Sequence, residues 1–316
     1  MLLELTQTQT CAQLIEAFER QPPNGAGEKL RFEGVDGRDV YNITAIFEDQ
    51  GIPILAGRVE GRDTEFSEVV FFRQEGEAWV PHPDLPSYGL QDPFFTRIRD
   101  ELIFGGVDVI ADPHDPSEIV SWVTRLYRGT SLADLRLVFT GPDHMKDLRV
   151  VELTDGRIGV LTRPQGAAKG GRGQIGFFTV DALEHLTVQA VLDAPVYEDQ
   201  FVREEWGGAN EPRLLANGLI GVLGHIACYD ALGDRHYYAM TFAIRPDTSE
   251  RTAMKIIARR GSFPPGAAKR PDLTDVIFSG GLVRKPGGLA DLYVGASDAE
   301  AYRIEIEDPF LEYERL

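Results

Sequence analysis

The sequence predicts an all-β fold, a five-bladed β-propeller carrying one short N-terminal helix, and three observations lead there. Short apolar or alternating segments recur along the chain, at residues 39–47, 52–60, 67–74, 99–110, 148–163, 218–230, 236–244, 254–260 and 290–297. Turn signals such as Thr154-Asp155-Gly156 and Ala216-Asn217-Gly218 separate them. The helical spacing of βαβ units is missing, which argues against a doubly wound parallel sheet. Finally, a polar or acidic residue opens a strand five times, at Tyr41-Asn42-Ile43, Gln91-Asp92-Pro93, Lys146-Asp147-Leu148, Asn210-Glu211-Pro212 and Thr274-Asp275-Val276. These starts lie roughly 50 to 65 residues apart, about one four-stranded blade with its loops.

The helix is expected over residues 8–20, where Cys11, Leu14, Ile15 and Phe18 share one side at helical spacing before a Pro/Gly-rich stretch. A second helix could begin after Asp115-Pro116-Ser117-Glu118, but Trp122, Thr124 and Leu126 alternate as a strand would, and the pattern leaves both open. The closing segment, residues 297–314, supplies late strand material suited to completing a blade with N-terminal residues and removing free edges. The whole chain, residues 1–316, reads as a single propeller domain.

Charge and composition narrow the function. A net charge of −18 repels phosphate backbones and anionic bilayers, which argues against nucleic-acid and membrane partners. The start of the chain lacks the pattern of a secretory signal, and two cysteines make neither a disulfide framework nor a metal cluster, so the cytoplasm is the expected compartment. Against this acidic background the segment from Lys146 to Arg172 is locally basic. Its Gly-rich part, Arg163 to Gly173, matches neither a P-loop nor a dinucleotide fingerprint and reads as a solvated loop or a lid. No zinc motif and no Gly-x-Ser-x-Gly elbow occur, so neither a metal nor a serine triad is expected.

In a propeller the innermost strands converge on one axis, so polar residues at equivalent starts meet in one funnel. At these starts the sequence resembles the inverting mannoside phosphorylases and mannosidases of glycoside hydrolase family 130, which are five-bladed propellers. It is more similar still to the domain-of-unknown-function family 1861. Tyr41-Asn42 with Gly57-Arg58-Val59-Glu60 and Ser67 resembles the first-blade sugar-binding pattern, and Gln91-Asp92-Pro93 resembles a Glu-Asp-Pro-Arg motif whose aspartate is the general acid. Gln91 and Phe94 depart from that motif's glutamate and arginine. Met145-Lys146-Asp147 with Leu161-Thr162-Arg163-Pro164 is similar to the third blade, where basic residues hold phosphate. Gly224-His225-Ile226 is similar to the Tyr-His-Gly of the fourth, and Phe278-Ser279-Gly280-Gly281 with Tyr293 to Asp298 to the fifth.

The resemblance implies an inverting glycosidase or glycoside phosphorylase acting on a mannoside-like substrate. Asp92 is then the acid, and it needs a raised pKa. Asn42, Arg58, Glu60, Ser67 and Asp298 would contact the sugar, with an internal salt bridge from Arg58 to Glu60 or Asp63 as the plainer reading. Lys146, Arg163 and His225 would hold inorganic phosphate as co-substrate. If water attacks instead, Glu211, Asp147 or Asp298 would be the second carboxylate, about 6.5–9.5 Å from the acid. Trp206 is the tryptophan placed to approach the funnel. The alternative is a carbohydrate-binding propeller without catalysis, motivated by Gln91 and Phe94.

Overall fold

The computed structural model describes residues 8–21, 25–115, 117–166 and 171–316. Residues 167–170 of the Gly-rich loop, including Lys169, and Pro116 of the second candidate helix lie outside the described residues.

Among the described residues the strands form four hydrogen-bonded sheets, and the largest consists of two antiparallel runs joined where His236 and Tyr237 pair in parallel with Asp275 and Val276, so that five runs can be followed along the chain. The first contains Asp39–Tyr41, Phe47–Asp49, Ile52–Glu60, Ser67–Glu75 and Ala78–Pro81. The second is Gln91–Ile98, Glu101–Ala111, Ile119–Gly129 and Arg136–Thr140. The third, Arg149–Glu152, Ile158–Thr162 and Gly176–Val180, is the shortest. The fourth is Trp206–Leu214, Ile220–Tyr229, Arg235–Ile244 and Lys255–Ala258, and the fifth Asp275–Lys285, Leu289–Ala296 and Glu300–Glu307. Ile119–Gly129 settles the open segment as a strand: Trp122, Thr124 and Leu126 alternate in register with the Glu101–Ala111 strand.

The runs close into the ring of a β-propeller, and the apolar residues show how. Phe47, Phe71, Leu90 and Phe104 pack the first run on the second; Phe94, Ile103, Val150 and Val160 pack the second on the third. Val151, Phe177, Val222 and Phe242 join the third to the fourth, and Leu223, Ala243, Ile277 and Leu292 join the fourth to the fifth. The circle is completed by Val40, Ile43 and Phe72 against Tyr293 and Ala301. Each large apolar side chain fully buried this way contributes about 1.5–3 kcal/mol over leaving it in water.

Backbone pairing seals the same seam. Glu28 and Lys29 add to the fifth run opposite Arg303 and Tyr302, while Arg31 and Phe32 run beside Ala78 and Trp79 of the first. The expected blade closure between N-terminal and late strand residues is therefore present, and it covers edges that would otherwise pair with other chains. At this seam Gly280 and Gly295 let first-run backbone approach closely: a Cβ on Gly280 would stand 1.5 Å from the Ile43 carbonyl oxygen, and one on Gly295 2.3 Å from the Asn42 nitrogen.

The N-terminal helix is Cys11–Glu19. Thr10 accepts the Gln13 amide while the Gln13 side chain accepts the Thr10 amide, a reciprocal cap. Cys11, Leu14 and Phe18 form its buried face, set against the third and fourth runs. Among the described residues, no helix is long and apolar enough to cross a membrane.

Candidate active site

The site grows from the backbone of the strand starts. Asn42, Asp92 and Asp147 sit in the left-handed region, at φ 43°, 49° and 60°. Asn and Asp tolerate this conformation better than most side chains. The turn re-aims each side chain inward at the point where its run begins. In the fourth and fifth runs a β-bulge does the equivalent work, with register shifts between Ala209 and Glu211 and between Ser279 and Gly281.

On one side of the cluster, Asp92 Oδ1 accepts hydrogen bonds from Asn42 Nδ2 at 2.7 Å and Arg58 Nη1 at 3.2 Å. Its other carboxylate oxygen takes no bond from any described residue. Arg58 is aimed by Glu60, whose Oε2 accepts Arg58 Nε at 2.9 Å and Nη2 at 2.5 Å. Glu60 Oε1 accepts the Tyr41 hydroxyl at 2.7 Å and Lys269 Nζ at 2.5 Å. Lys269 also donates to the Thr64 carbonyl and Glu65.

On the other side, Asp147 Oδ2 accepts Arg163 Nη1 at 2.9 Å, and Arg149 Nη2 stands 3.6 Å from Oδ1. Arg163 is braced by the Gly207 carbonyl at 2.9 Å, and Arg149 by the carbonyls of Asn210 at 2.8 Å and Leu148 at 3.0 Å. The Arg149 guanidinium lies 3.9 Å over the Phe94 ring. The third run thus places a guanidinium against Phe94, two residues after Asp92. His225 Nδ1 is 2.9 Å from Asn210 Oδ1, and its ring packs against Tyr237 and Phe278 at 5.5 and 5.2 Å. Gly208 lies where Asp147, His225 and Arg163 converge: a Cβ there would meet Asp147 Oδ2 and His225 Cε1 at 2.8 Å and Arg163 Cδ at 2.9 Å.

The electrostatics follow from this packing. Burial alone would raise Asp92, but Arg58, Lys146 and the Asn42 amide outweigh it and hold the carboxyl below the usual range. The expectation of a raised acid at Asp92 is therefore overturned for the site as it stands. Asp147 behaves alike: Arg163, Arg149, His225 and Lys146 overcome burial and keep it low. Asp298, at φ 50°, is the exception, since burial, with Asp92 and Glu65 adding to it, outweighs Arg58 and Lys146 and pushes its carboxyl up. Burial drives His225 down to about 3, so the ring is neutral at ordinary pH. Lys146 acts on Asp92, Asp147, His225 and Asp298 alike, yet has no hydrogen-bond or ion-pair partner among the described residues.

Asn42, Arg58, Asp92, Lys146, Asp147, Arg163, His225 and Asp298 lie near enough to bond to one another or to act on one another's charge. Three others are not free for the roles expected of them. Glu211 Oε2 accepts the Leu282 amide at 2.7 Å and Oε1 pairs with Arg213, because the bulge turns its neighbour Asn210 towards His225 and leaves Glu211 tying the fourth run to the fifth. Ser67 Oγ donates to the Leu90 carbonyl at 3.0 Å, pinning the first run to the second. Glu60 is spent on Tyr41, Arg58 and Lys269, so it positions Arg58 instead of reading a sugar. Trp206 is buried and donates to the Tyr237 hydroxyl, with Arg172 of the Gly-rich loop stacked 5.3 Å from its ring centre.

Sequence reading missed Arg149, Lys269, Asn210 and Tyr237. Arg149 had a signal, since it stands two residues after Asp147 on a strand-forming stretch and so shares its face. Lys269 had none, because it arrives from the irregular connection between the fourth and fifth runs. Among the described residues no cluster of three or more His, Cys, Asp or Glu could hold a metal ion.

Residues 16–312 match the model of the family described as "Protein of unknown function (DUF1861)". No curated protein matches the sequence. Solved structures do. The mannose phosphorylase MPT-4 from Leishmania mexicana, in complex with phosphate ion, is 35% identical, with a TM-score of 0.87 over 96% of this chain and 94% of that one. MPT-1, a GDP-Man-dependent mannosyltransferase from Leishmania mexicana, is 33% identical, with a TM-score of 0.86 over 95% of each chain. The β-1,2-mannobiose phosphorylase of Listeria innocua, in complex with β-1,2-mannobiose, is 14% identical and shares the fold, with a TM-score of 0.59 over 92% of this chain and 93% of that one.

Proposed function

The chain belongs to the DUF1861 family, and from that membership and the site together we infer that it is a carbohydrate-active enzyme, a phosphorylase cleaving a mannoside with inorganic phosphate. We read each antiparallel run as one blade of a single five-bladed domain, and place the enzyme in the cytoplasm. The observation that carries the reading is Lys146, a cation without a partner among the described residues, set beside the buried Arg163 and Arg149 and acting directly on Asp92. An acidic protein concentrates such donors where it binds an anion.

In this reading a phosphate oxygen attacks the anomeric carbon from the face opposite the leaving group. The glycosidic C–O bond breaks, and the leaving oxygen takes a proton from Asp92, giving mannose 1-phosphate of inverted configuration. Asn42 and Arg58 hold the carboxyl, and Asp298 faces the sugar. Asp92 is kept ionised by Arg58 first and by Lys146 second, and Lys146 is one of the cations that would receive phosphate. The anion offsets them, so its arrival raises the affinity of Asp92 for a proton and charges the acid only when the nucleophile is in place.

Hydrolysis fits less well, because Asp147 is bonded to Arg163 with Arg149 3.6 Å from its other oxygen, and Glu211 is held by a backbone amide and Arg213. Mannosyl transfer from a nucleotide sugar is the second reading, favoured by the 33% identity to MPT-1. The deciding experiment incubates the protein with β-mannobiose and phosphate, with β-mannobiose alone, and with GDP-mannose plus mannose. Mannose 1-phosphate in the first mixture only supports phosphorolysis. Free mannose without phosphate, or GDP release in the third, overturns it, and no turnover in any would leave a binding protein.

A further inference from the structure

The chain has two cysteines, Cys11 and Cys228, both free, and folding brings them together where the N-terminal helix sits on the fourth run. Cys11 opens the helix, 3% exposed, in the same packing layer as Ile226, Met240 and Ile256, with Cys228 and Tyr238 half-buried at its edge. Cys228 packs against the layer that contains Cys11, and each sulfur is the leading influence on the acidity of the other. The Cys11 backbone amide donates to the Glu205 carboxylate at 2.9 Å.

Cys228 also has a histidine. It stands directly opposite His236 in the register of the fourth run, which puts both side chains on one face. His236 Nδ1 is 2.6 Å from Asp275 Oδ2, and Nε2 is 3.6 Å from Asp230 Oδ2. Burial works against charge on His236, but the bond to Asp275, helped by Asp230, outweighs it and favours the imidazolium. The neighbouring Cys11, assisted by His236, draws Cys228 below the usual thiol range against burial and Glu205, while Cys228 and burial push Cys11 up. Cys228 lies beside exposed Tyr229 at the tip of a hairpin, whereas Cys11 is enclosed. His225, three residues earlier, points to the opposite face, so this cluster is separate from the sugar site.

We propose that Cys228 and Cys11 form an oxidation site for small two-electron oxidants of the peroxide class, with Cys228 as the attacking thiol and Cys11 as the resolving one. The Cys228 sulfur attacks one peroxide oxygen. The O–O bond breaks, and the departing oxygen leaves as water after taking a proton, giving a sulfenic acid. The Cys11 sulfur then attacks Cys228, the S–O bond breaks, and a second water leaves. Two thiols and one hydrogen peroxide give one disulfide and two waters; the two sulfurs lose two electrons, and their protons end on the two oxygens. The product bolts the helix to the fourth run.

The test treats the reduced full-length protein with equimolar hydrogen peroxide and follows intact mass, free thiols and a non-reducing peptide map. The wild type is expected to lose both thiols, to fall by about 2 Da and to yield one peptide pair linked through Cys11 and Cys228. Cys11→Ser should stop at a dimedone-trappable sulfenic acid on Cys228. Cys228→Ser should leave Cys11 unreacted, and His236→Asn should slow oxidation about tenfold. Iodoacetamide labelling of the unmutated protein provides a readout independent of variant folding, with Cys228 labelled well before Cys11. Retention of both thiols, disulfides formed only between molecules, or earlier labelling of Cys11 would overturn the proposal.

Discussion

Arg58 Nη1 lies 3.2 Å from Asp92 Oδ1, and this buried ion pair keeps the proposed acid deprotonated until something offsets the guanidinium. Asp92→Asn preserves the shape and the Asn42 contact but cannot deliver a proton. Turnover of β-mannobiose with phosphate is expected to fall by about 10²–10⁴. Binding of the disaccharide, measured by calorimetry in the same variant, should change by less than tenfold.

The coupling of anion to proton can be read without catalysis. Sulfate has the shape and charge of phosphate but does not titrate near neutrality, so any proton taken up on binding belongs to the protein. Calorimetry of sulfate binding in two buffers of different ionisation enthalpy should show net proton uptake, and affinity should rise as pH falls. Lys146→Met is expected to weaken sulfate by about 1–3 kcal/mol and to reduce the uptake. Proton release on binding would refute the linkage.

Gly208 gives a steric test. Alanine places a Cβ within 2.9 Å of Asp147, His225 and Arg163 at once, and none of these is the free end of a surface chain. Gly208→Ala is therefore expected to displace the phosphate side of the site. Phosphate affinity should drop at least tenfold while Asn42, Arg58 and Asp92 keep their geometry. The check is sulfate binding alongside thermal unfolding, where a loss of about 1–3 kcal/mol is expected from overpacking.

His225 should leave a signature in stability. Its folded pKa, about 3, lies below the ordinary value of 6.5. Between those limits the unfolded chain binds a proton that the folded one refuses, so stability falls as pH drops from 6.5 towards 3. The slope attributable to this residue is up to about 1.4 kcal/mol per pH unit. Asp92 and Asp147 act in the same sense at still lower pH, whereas Asp298 acts in the opposite one. His225→Gln should flatten the dependence between pH 4 and 6 in urea melts, and an unchanged slope would contradict the buried neutral ring.

Glu211 separates hydrolytic from phosphorolytic chemistry. If its carboxylate only ties Leu282 and Arg213, Glu211→Gln costs about 1 kcal/mol of stability and leaves phosphorolysis within a few-fold of wild type. A collapse of water-dependent cleavage in this variant would instead make it a base.

The first three strand starts were legible because one residue type solves two problems there. Asn42, Asp92 and Asp147 accept a left-handed backbone and also carry a polar side chain inward, so chemistry and conformation leave the same mark. The periodicity slips in the last two runs. The residue inserted by the fourth-run bulge is Asn210, which faces the cluster where the pattern selected Glu211, and Asp275 at the start of the fifth run pairs with His236 outside it. Closure by Glu28 and Lys29 was foreshadowed by the late strand material, but Lys269 could not be, because no periodicity governs an irregular connection. The two cysteines looked inert for the same reason: their meeting is a product of ring closure and helix docking, and no local spacing encodes it.

The contact between Gly295 and Asn42 also fixes when the site can exist. The asparagine that holds Asp92 leans on a glycine from the fifth run, so the surroundings of this carboxylate are complete only once the fifth run has packed on the first. Four packed runs already hold Asp147, Arg163 and His225 together, but not this frame. The frame around Asp92 is thereby a property of the closed ring and of no single run.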